Sequence, residues 1–307
     1  MTCATPAVCR LGLGTVQFGL DYGIANPDGR VPIDEVTRIL KLAATSGISL
    51  LDTAHLYGRS EEVLGRLLPP DHPFWIVTKT IKTPSERIQR ADIKRVVDSF
   101  RQSLERLRQP SVHGLLVHDA DDLLKPGGEN LAEMLLTLRA LGLISAVGVS
   151  VYRAEQIDAV MKILVPDIIQ LPINVFDQRL LSAGYLTQLH DAGVEIHARS
   201  VFLQGLLLMP PDELNGYFEP IRGHLRQYRA SLHESGLTPL QAALQFVLRR
   251  PEIARIIVGV CNRQHLEQII AAASESSGSF EFARWRIDEP RFIYPSLWQP
   301  TRPQPTT

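Results

Sequence analysis

Short runs rich in Val, Ile and Leu recur along the chain at 11–16, 49–53, 75–79, 114–118, 146–150, 168–171, 195–200 and 255–259. Near-continuous apolar runs of this length are what strands covered on both faces require. Between them apolar residues fall three and four apart, predicting helices over 32–46, 60–68, 90–107, 130–141, 154–164, 180–192, 238–249 and 263–273. In the first helix Val36, Ile39, Leu40 and Ala43 share one face, and Gly47 ends the run as a C-terminal glycine does. Thr238-Pro239 and Asn262 read as helix starts, a capping side chain in each case and a proline at N1 in the first. Eight strands alternating with helices predict an α/β fold, a (β/α)8 TIM barrel forming a single domain over residues 1–307. In such a barrel the chemistry gathers at the C-terminal ends of the strands. From residue 274 the pattern turns polar, then aromatic and Pro-rich, predicting a C-terminal extension over 274–300 that packs on the barrel and a disordered tail over 301–307.

A doubly wound nucleotide-binding sheet would place G-x-G-x-x-G between the first strand and helix. Here Gln17 occupies the third glycine position. The sequence also lacks G-x-x-x-x-G-K-[ST], G-x-S-x-G and H-E-x-x-H. Lys plus Arg is 32 against Asp plus Glu 33, so no basic field invites nucleic acid. The 201–209 apolar stretch is too short for a bilayer, and the first residues lack a signal-peptide pattern. Cys3, Cys9 and Cys261 carry no C-x-x-C spacing, which argues against a disulfide framework and a metal site. The expectation is a cytoplasmic protein with reduced thiols and a small-molecule partner; without a long heptad seam, monomer is the default.

At the predicted strand ends stand Asp52, Lys79 and His118, with Tyr57 in the loop after the second strand. Singly, each has a bland reading: Asp52 a cap, Lys79 a solvated terminus, Tyr57 a packed aromatic, His118 a core histidine. Together on one barrel rim they are chemically coherent. A lysine near a tyrosine lowers the phenol's pKa from about 10, making it usable as a general acid. A buried ammonium needs a carboxylate, and Asp52 is the candidate. His118 would orient a carbonyl oxygen. A proton donor to oxygen goes naturally with a hydride acceptor at carbon, but the four residues alone do not show hydride transfer.

The chain resembles the aldo-keto reductases. The resemblance rests on Asp52-Thr53-Ala54-His55-Leu56-Tyr57-Gly58-Arg59-Ser60-Glu61-Glu62, Thr78-Lys79, Leu116-Val117-His118, Gly148-Val149-Ser150, Ile169-Gln170 and Gln204-Gly205-Leu206-Leu207, from Gly14 to about Ala273. It implies a barrel that binds NADP(H), ahead of NADH, across its mouth and reduces an aldehyde or ketone. Asp52, Tyr57, Lys79 and His118 match the catalytic tetrad, with Tyr57 as proton donor. Gly14, Thr15 and Val16 match the turn on the nicotinamide side. Ser150 and Gln170 match the groups holding the carboxamide, and Leu203, Gln204 and Leu206 the loop passing the diphosphate. Arg199, followed by Ser200, takes the place where many members stack an aromatic ring. Gly259, Asn262, Arg263 and His265 fall in the adenosine clamp. The opening through Tyr22-Gly23 resembles bacterial members, some tied to sugar metabolism.

The chain departs from the pattern at Val151, where asparagine is common, and at Ile269, where asparagine is customary; the last clamp lacks its serine. Two other readings stand beside the reductase: a nicotinamide-nucleotide-binding regulatory subunit with little turnover, and a Schiff-base aldolase using Lys79. Trp285, Tyr294 and Trp298 wall the pocket or pack on the flank, and the substrate itself is not legible.

Overall fold

Eight parallel strands, β1 (Leu11–Gly14), β2 (Leu50–Asp52), β3 (Trp75–Lys79), β4 (Val112–Val117), β5 (Ile144–Ser150), β6 (Ile168–Pro172), β7 (Glu195–Arg199) and β8 (Ile253–Gly259), pair in chain order and close where β8 meets β1. This computed structural model describes residues 7–275 and 279–298; the tail expected over 301–307 lies outside them. The fold is the single-domain (β/α)8 barrel that the alternating pattern predicts.

Side chains on a strand point alternately to its two faces, and this period of two builds the site. Leu51, Ile76, Leu115, Val147, Ile169 and Ile256 face outward into the main core under the helices. Leu50, Val77, Leu116, Ala146, Ile168 and Ile257 form a separate apolar plug inside the barrel. Two residues beyond the plug, on the same inward face, come Asp52, Lys79, His118, Gln170 and Gly259, with Ser150 four beyond Ala146. The polar site is therefore the layer above an apolar floor. Gly12 keeps that floor filled, because a Cβ there would meet Ile257 Cδ1 at 2.8 Å.

The helices follow their sequence signals closely. Thr238 Oγ1 accepts from the Gln241 N–H and Asn262 Oδ1 from the His265 N–H, so both predicted caps form. Gly47 takes a left-handed φ of 83° after the helix Ile33–Thr45. The single helix expected over 180–192 is instead two, Arg179–Ser182 and Tyr185–Asp191, split where Gly184 turns left-handed. A helix the pattern reading passed over, Glu219–Glu234, buries Ile221, Leu225, Tyr228 and Leu232.

The aromatic segment after residue 279 packs on this helix. Trp285 meets Tyr228 and His224 edge-on, and Trp298 meets Phe218. Pro295 and Ser296 reach the mouth of the barrel. At the seam, Arg10 beside β1 donates to the carbonyls of Leu248, Arg250 and Ile253 next to β8.

Candidate active site

A cavity of about 510 Å³ opens at the C-terminal ends of the strands. Its lining includes Asp52, Tyr57 and His118, Gly14, Thr15 and Val16, Ser150 and Gln170, Arg199 and Ser200, and Gln204, Gly259 and His265.

Behind this wall the Lys79 ammonium donates to Asp52 Oδ1 and Oδ2, both at 2.8 Å, and to the Thr53 carbonyl at 2.9 Å. Gln170 Nε2 donates to Asp52 Oδ1 at 2.7 Å. Both charges are nearly enclosed, Lys79 at 2% and Asp52 at 4% exposure, so each is the other's replacement for water. Burial pulls the lysine's pKa down and Asp52 opposes the shift.

Tyr57 is carried by the turn between β2 and the helix Ser60–Leu67. Its N–H donates to the Ala54 carbonyl, and its own carbonyl accepts from the Ser60 N–H, both at 3.0 Å. Ser60 Oγ reaches back to the Thr15 carbonyl at 2.9 Å, and Thr15 Oγ1 donates to the Asp52 carbonyl at 3.0 Å. Further along the same helix Glu61 accepts from Thr78 and Arg106, fixing β3 beside Lys79.

The sequence led us to expect Lys79 to lower the Tyr57 pKa. In the structure the lysine lies 5.0 Å from the ring centroid, but all three of its N–H bonds are committed elsewhere. Burial and the Asp52 charge instead hold the phenol above its ordinary value, with Arg199 opposing them. Tyr57 is thus kept protonated. His118 meets Tyr57 edge-on at 5.9 Å. Burial, then Lys79 and Arg199, push its pKa down to about 3, so the imidazole is neutral at ordinary pH. Its Nδ1 is buried and without a partner.

Arg199 stacks its guanidinium on Tyr152, 4.1 Å from the ring centroid, and donates to the Val151 carbonyl at 3.1 Å. Beyond it the loop is contorted: Ser200, Leu203 and Gln204 all take positive φ. Asn174 Nδ2 holds the Ser200 carbonyl at 3.1 Å.

Four of the residues expected to contact the cofactor do not line this cavity. Leu203 and Leu206 are fully buried in the core and do not line the cavity, because the backbone reversal at Gln204 turns them inward. Asn262 and Arg263 sit outside it, in a shallow depression with Glu35 and Arg38. There Arg263 pairs with Glu267 at 2.8 Å, while its backbone N–H donates to the Glu35 carboxylate. Conversely, Gln17, Tyr22, Asn26 and Tyr152 line the cavity and were not singled out from sequence. Tyr152, two residues after Ser150 on the strand period, was the one with a usable signal. Among the described residues no cluster of three His, Cys, Asp or Glu side chains is arranged to hold a metal.

The model of the aldo/keto reductase family matches residues 10–287, and the chain belongs to that family. Aldo-keto reductase YhdN of Bacillus subtilis is 30% identical over 178 residues, 56% of this chain and 52% of that protein. The match thus spans about half of YhdN. The L-glyceraldehyde 3-phosphate reductase of Escherichia coli O157:H7 is 26% identical over 300 residues, 85% of this chain and 86% of that one. The structure of aldo-keto reductase AKR11C1 from Bacillus halodurans superimposes with a TM-score of 0.72 over 88% of each chain, at 21% identity, a likeness of fold. Membership implies NAD(P)H-dependent carbonyl reduction and a small-molecule substrate. Among the described residues no helix is long and apolar enough to cross a membrane.

Proposed function

We propose that the chain is an NADP(H)-dependent oxidoreductase, monomeric and cytoplasmic, that reduces an aldehyde or ketone, sugar-derived carbonyls included, with Tyr57 as proton donor. One observation carries this reading: a protonated phenol and a neutral imidazole share the end of an open cavity, over a lysine wholly engaged by a carboxylate.

The residues present fit a nicotinamide dinucleotide. Gln17 lines the cavity with a buried amide oxygen that has no partner, a ready acceptor for a ribose hydroxyl. Gly14 and Gly259 keep the floor between β1 and β8 free of side chains. Ser150 and Gln170 would hold the carboxamide, and Gln204 and His265 would line the path of the remainder. Bound there, the dinucleotide supplies the hydride. Tyr57 gives its proton to the carbonyl oxygen. His118, which lines the cavity, would orient that oxygen by a hydrogen bond. The phenolate left behind is stabilised by the Arg199 charge. Asp52 and the Thr53 carbonyl engage the Lys79 amine on three sides and hold it in place, which disfavours a Schiff-base role.

Fluorescence titration with NADPH and, in parallel, NADH tests the reading. The expected result is binding of both with NADPH ahead. The Arg263 N–H, which donates to the Glu35 carboxylate, and the Arg263 guanidinium would hold a 2′-phosphate at the start of the helix Arg263–Ser274. Failure of both nucleotides to bind withdraws the proposed activity.

A further inference from the structure

Arg199 is a charge without a counter-charge. Among the described residues no carboxylate lies within 4.0 Å of it, although it is half-buried at the end of β7 and lines the cavity. The other cation of this mouth, Lys79, is neutralised by Asp52, so the cavity retains one net positive charge at its reacting end. A partly desolvated guanidinium is costly unless something satisfies it.

The group is also held still. Tyr152 covers one face, and the Val151 carbonyl and Ser200 Oγ accept from NH2 and NH1 at 3.1 and 3.3 Å. A guanidinium has five N–H donors, so three remain. The backbone that delivers it is strained, with Ser200 at a φ of 59°, and strain of this kind persists where surrounding contacts enforce it. In the same cavity the Tyr22 hydroxyl accepts from Gln204 Nε2 at 3.2 Å, leaving its own proton to donate. Tyr22 and Arg199 line the same cavity as Tyr57 and His118.

Resting on the reductase reading, we propose that the substrate carries an acidic group, a carboxylate or a phosphate, on the same small molecule as the reacting carbonyl, and that Arg199 with the Tyr22 hydroxyl binds it. A planar fork with free donors matches either oxyanion. Arg199 is then a specificity residue: it selects acidic carbonyl compounds over neutral ones of equal size.

Calorimetric titration tests this without requiring turnover. The probes are malonate and glycerol 3-phosphate, each against its neutral counterpart, propane-1,3-diol and glycerol, with the protein alone and saturated with NADP+. At least one anion is expected to bind about tenfold or more tightly than its neutral counterpart, by the ordinary strength of charge-assisted hydrogen bonds. Raising the salt should weaken it. A preference for malonate identifies a carboxylate substrate, a preference for glycerol 3-phosphate a phosphorylated one. R199M should abolish the preference and R199K retain part of it, circular dichroism verifying the fold of each. Should R199M not fold, R199Q serves in its place.

Equal binding of charged and neutral probes overturns the proposal. So does an anion preference that survives loss of the guanidinium, which would place the anion at another cation such as Arg263. If the variants lose dinucleotide affinity tenfold while anion preference is unchanged, Arg199 serves the dinucleotide and the proposal falls. Failure of wild type to bind either nucleotide withdraws the reductase reading instead, and the titration on the free protein still decides whether Arg199 takes an anion.

Discussion

The α-carbon of Gly19 sits against the carbonyl of Tyr57 so closely that an added Cβ would stand 1.8 Å from that oxygen. The turn after β1 therefore serves as the seat of the proton donor, and Gly58, at a φ of 56°, makes the reciprocal approach to the Gly19 carbonyl. G19A is expected to push the Tyr57 turn outward and lower kcat/KM by about a hundredfold, since displacements of about 1 Å have effects of that order. Steady-state kinetics on any accepted aldehyde, with a thermal melt to exclude global unfolding, will check it.

Y57F removes the proton donor and leaves the cavity walls in place. Turnover should fall by about a thousandfold or more. NADPH affinity, read by fluorescence, should stay within about threefold; loss of binding in step with activity would argue that the phenol serves the nucleotide.

The Asp52–Lys79 pair predicts an asymmetry between single and double substitutions. D52N or K79M alone leaves an uncompensated buried charge and should destabilise by about 3–5 kcal/mol. Combining D52L with K79M should recover most of that loss while remaining inactive. Urea midpoints of the three variants give the comparison, and a double variant no more stable than the singles would contradict it.

His118 gives a pH signature. Its folded-state pKa of about 3 lies below the usual 6.5, so the unfolded state binds the extra proton first. The stability from keeping it neutral is fully present above about pH 6.5 and is lost as pH falls towards 3, at about 1.4 kcal/mol per unit. His55, His72, His113 and His265 are shifted the same way and add to the slope. Between pH 6.5 and 5, H118N should lose less stability than the wild type in parallel urea titrations.

Glu35 bears on nucleotide choice. Its carboxylate stays ionised because the Arg263 N–H and Arg38 both donate to it. E35Q removes a negative charge from a helix N-terminus and should tighten NADPH about threefold, with NADH nearly unchanged. Equal effects on both nucleotides would place the 2′-phosphate elsewhere.

Much of this could be read beforehand. Eight apolar runs and the period of two set the strand ends, and those ends place Asp52, Lys79 and His118 on one rim. What escaped depends on distances that residue types do not encode. Nothing in the string tells how deeply Tyr57 is buried or that it feels the Asp52 charge, and these raise its pKa where a lowering by Lys79 was expected. Arg263 looked free because its partner Glu267 is a helical neighbour and Glu35 lies 228 residues away. The helix Glu219–Glu234 was masked by its charge-rich face and by Pro220, which sits harmlessly in its first turn.

The Arg10 staple has a bearing on how the chain is made. Its three carbonyl partners arrive about 240 residues after it, the separations being 238, 240 and 243. During synthesis the edge of β1 must wait, unpaired on one side, while seven strands assemble behind it. A nascent chain stalled before residue 248 would expose that edge and its unmatched guanidinium, the state in which this protein would be most open to chaperones and to aggregation.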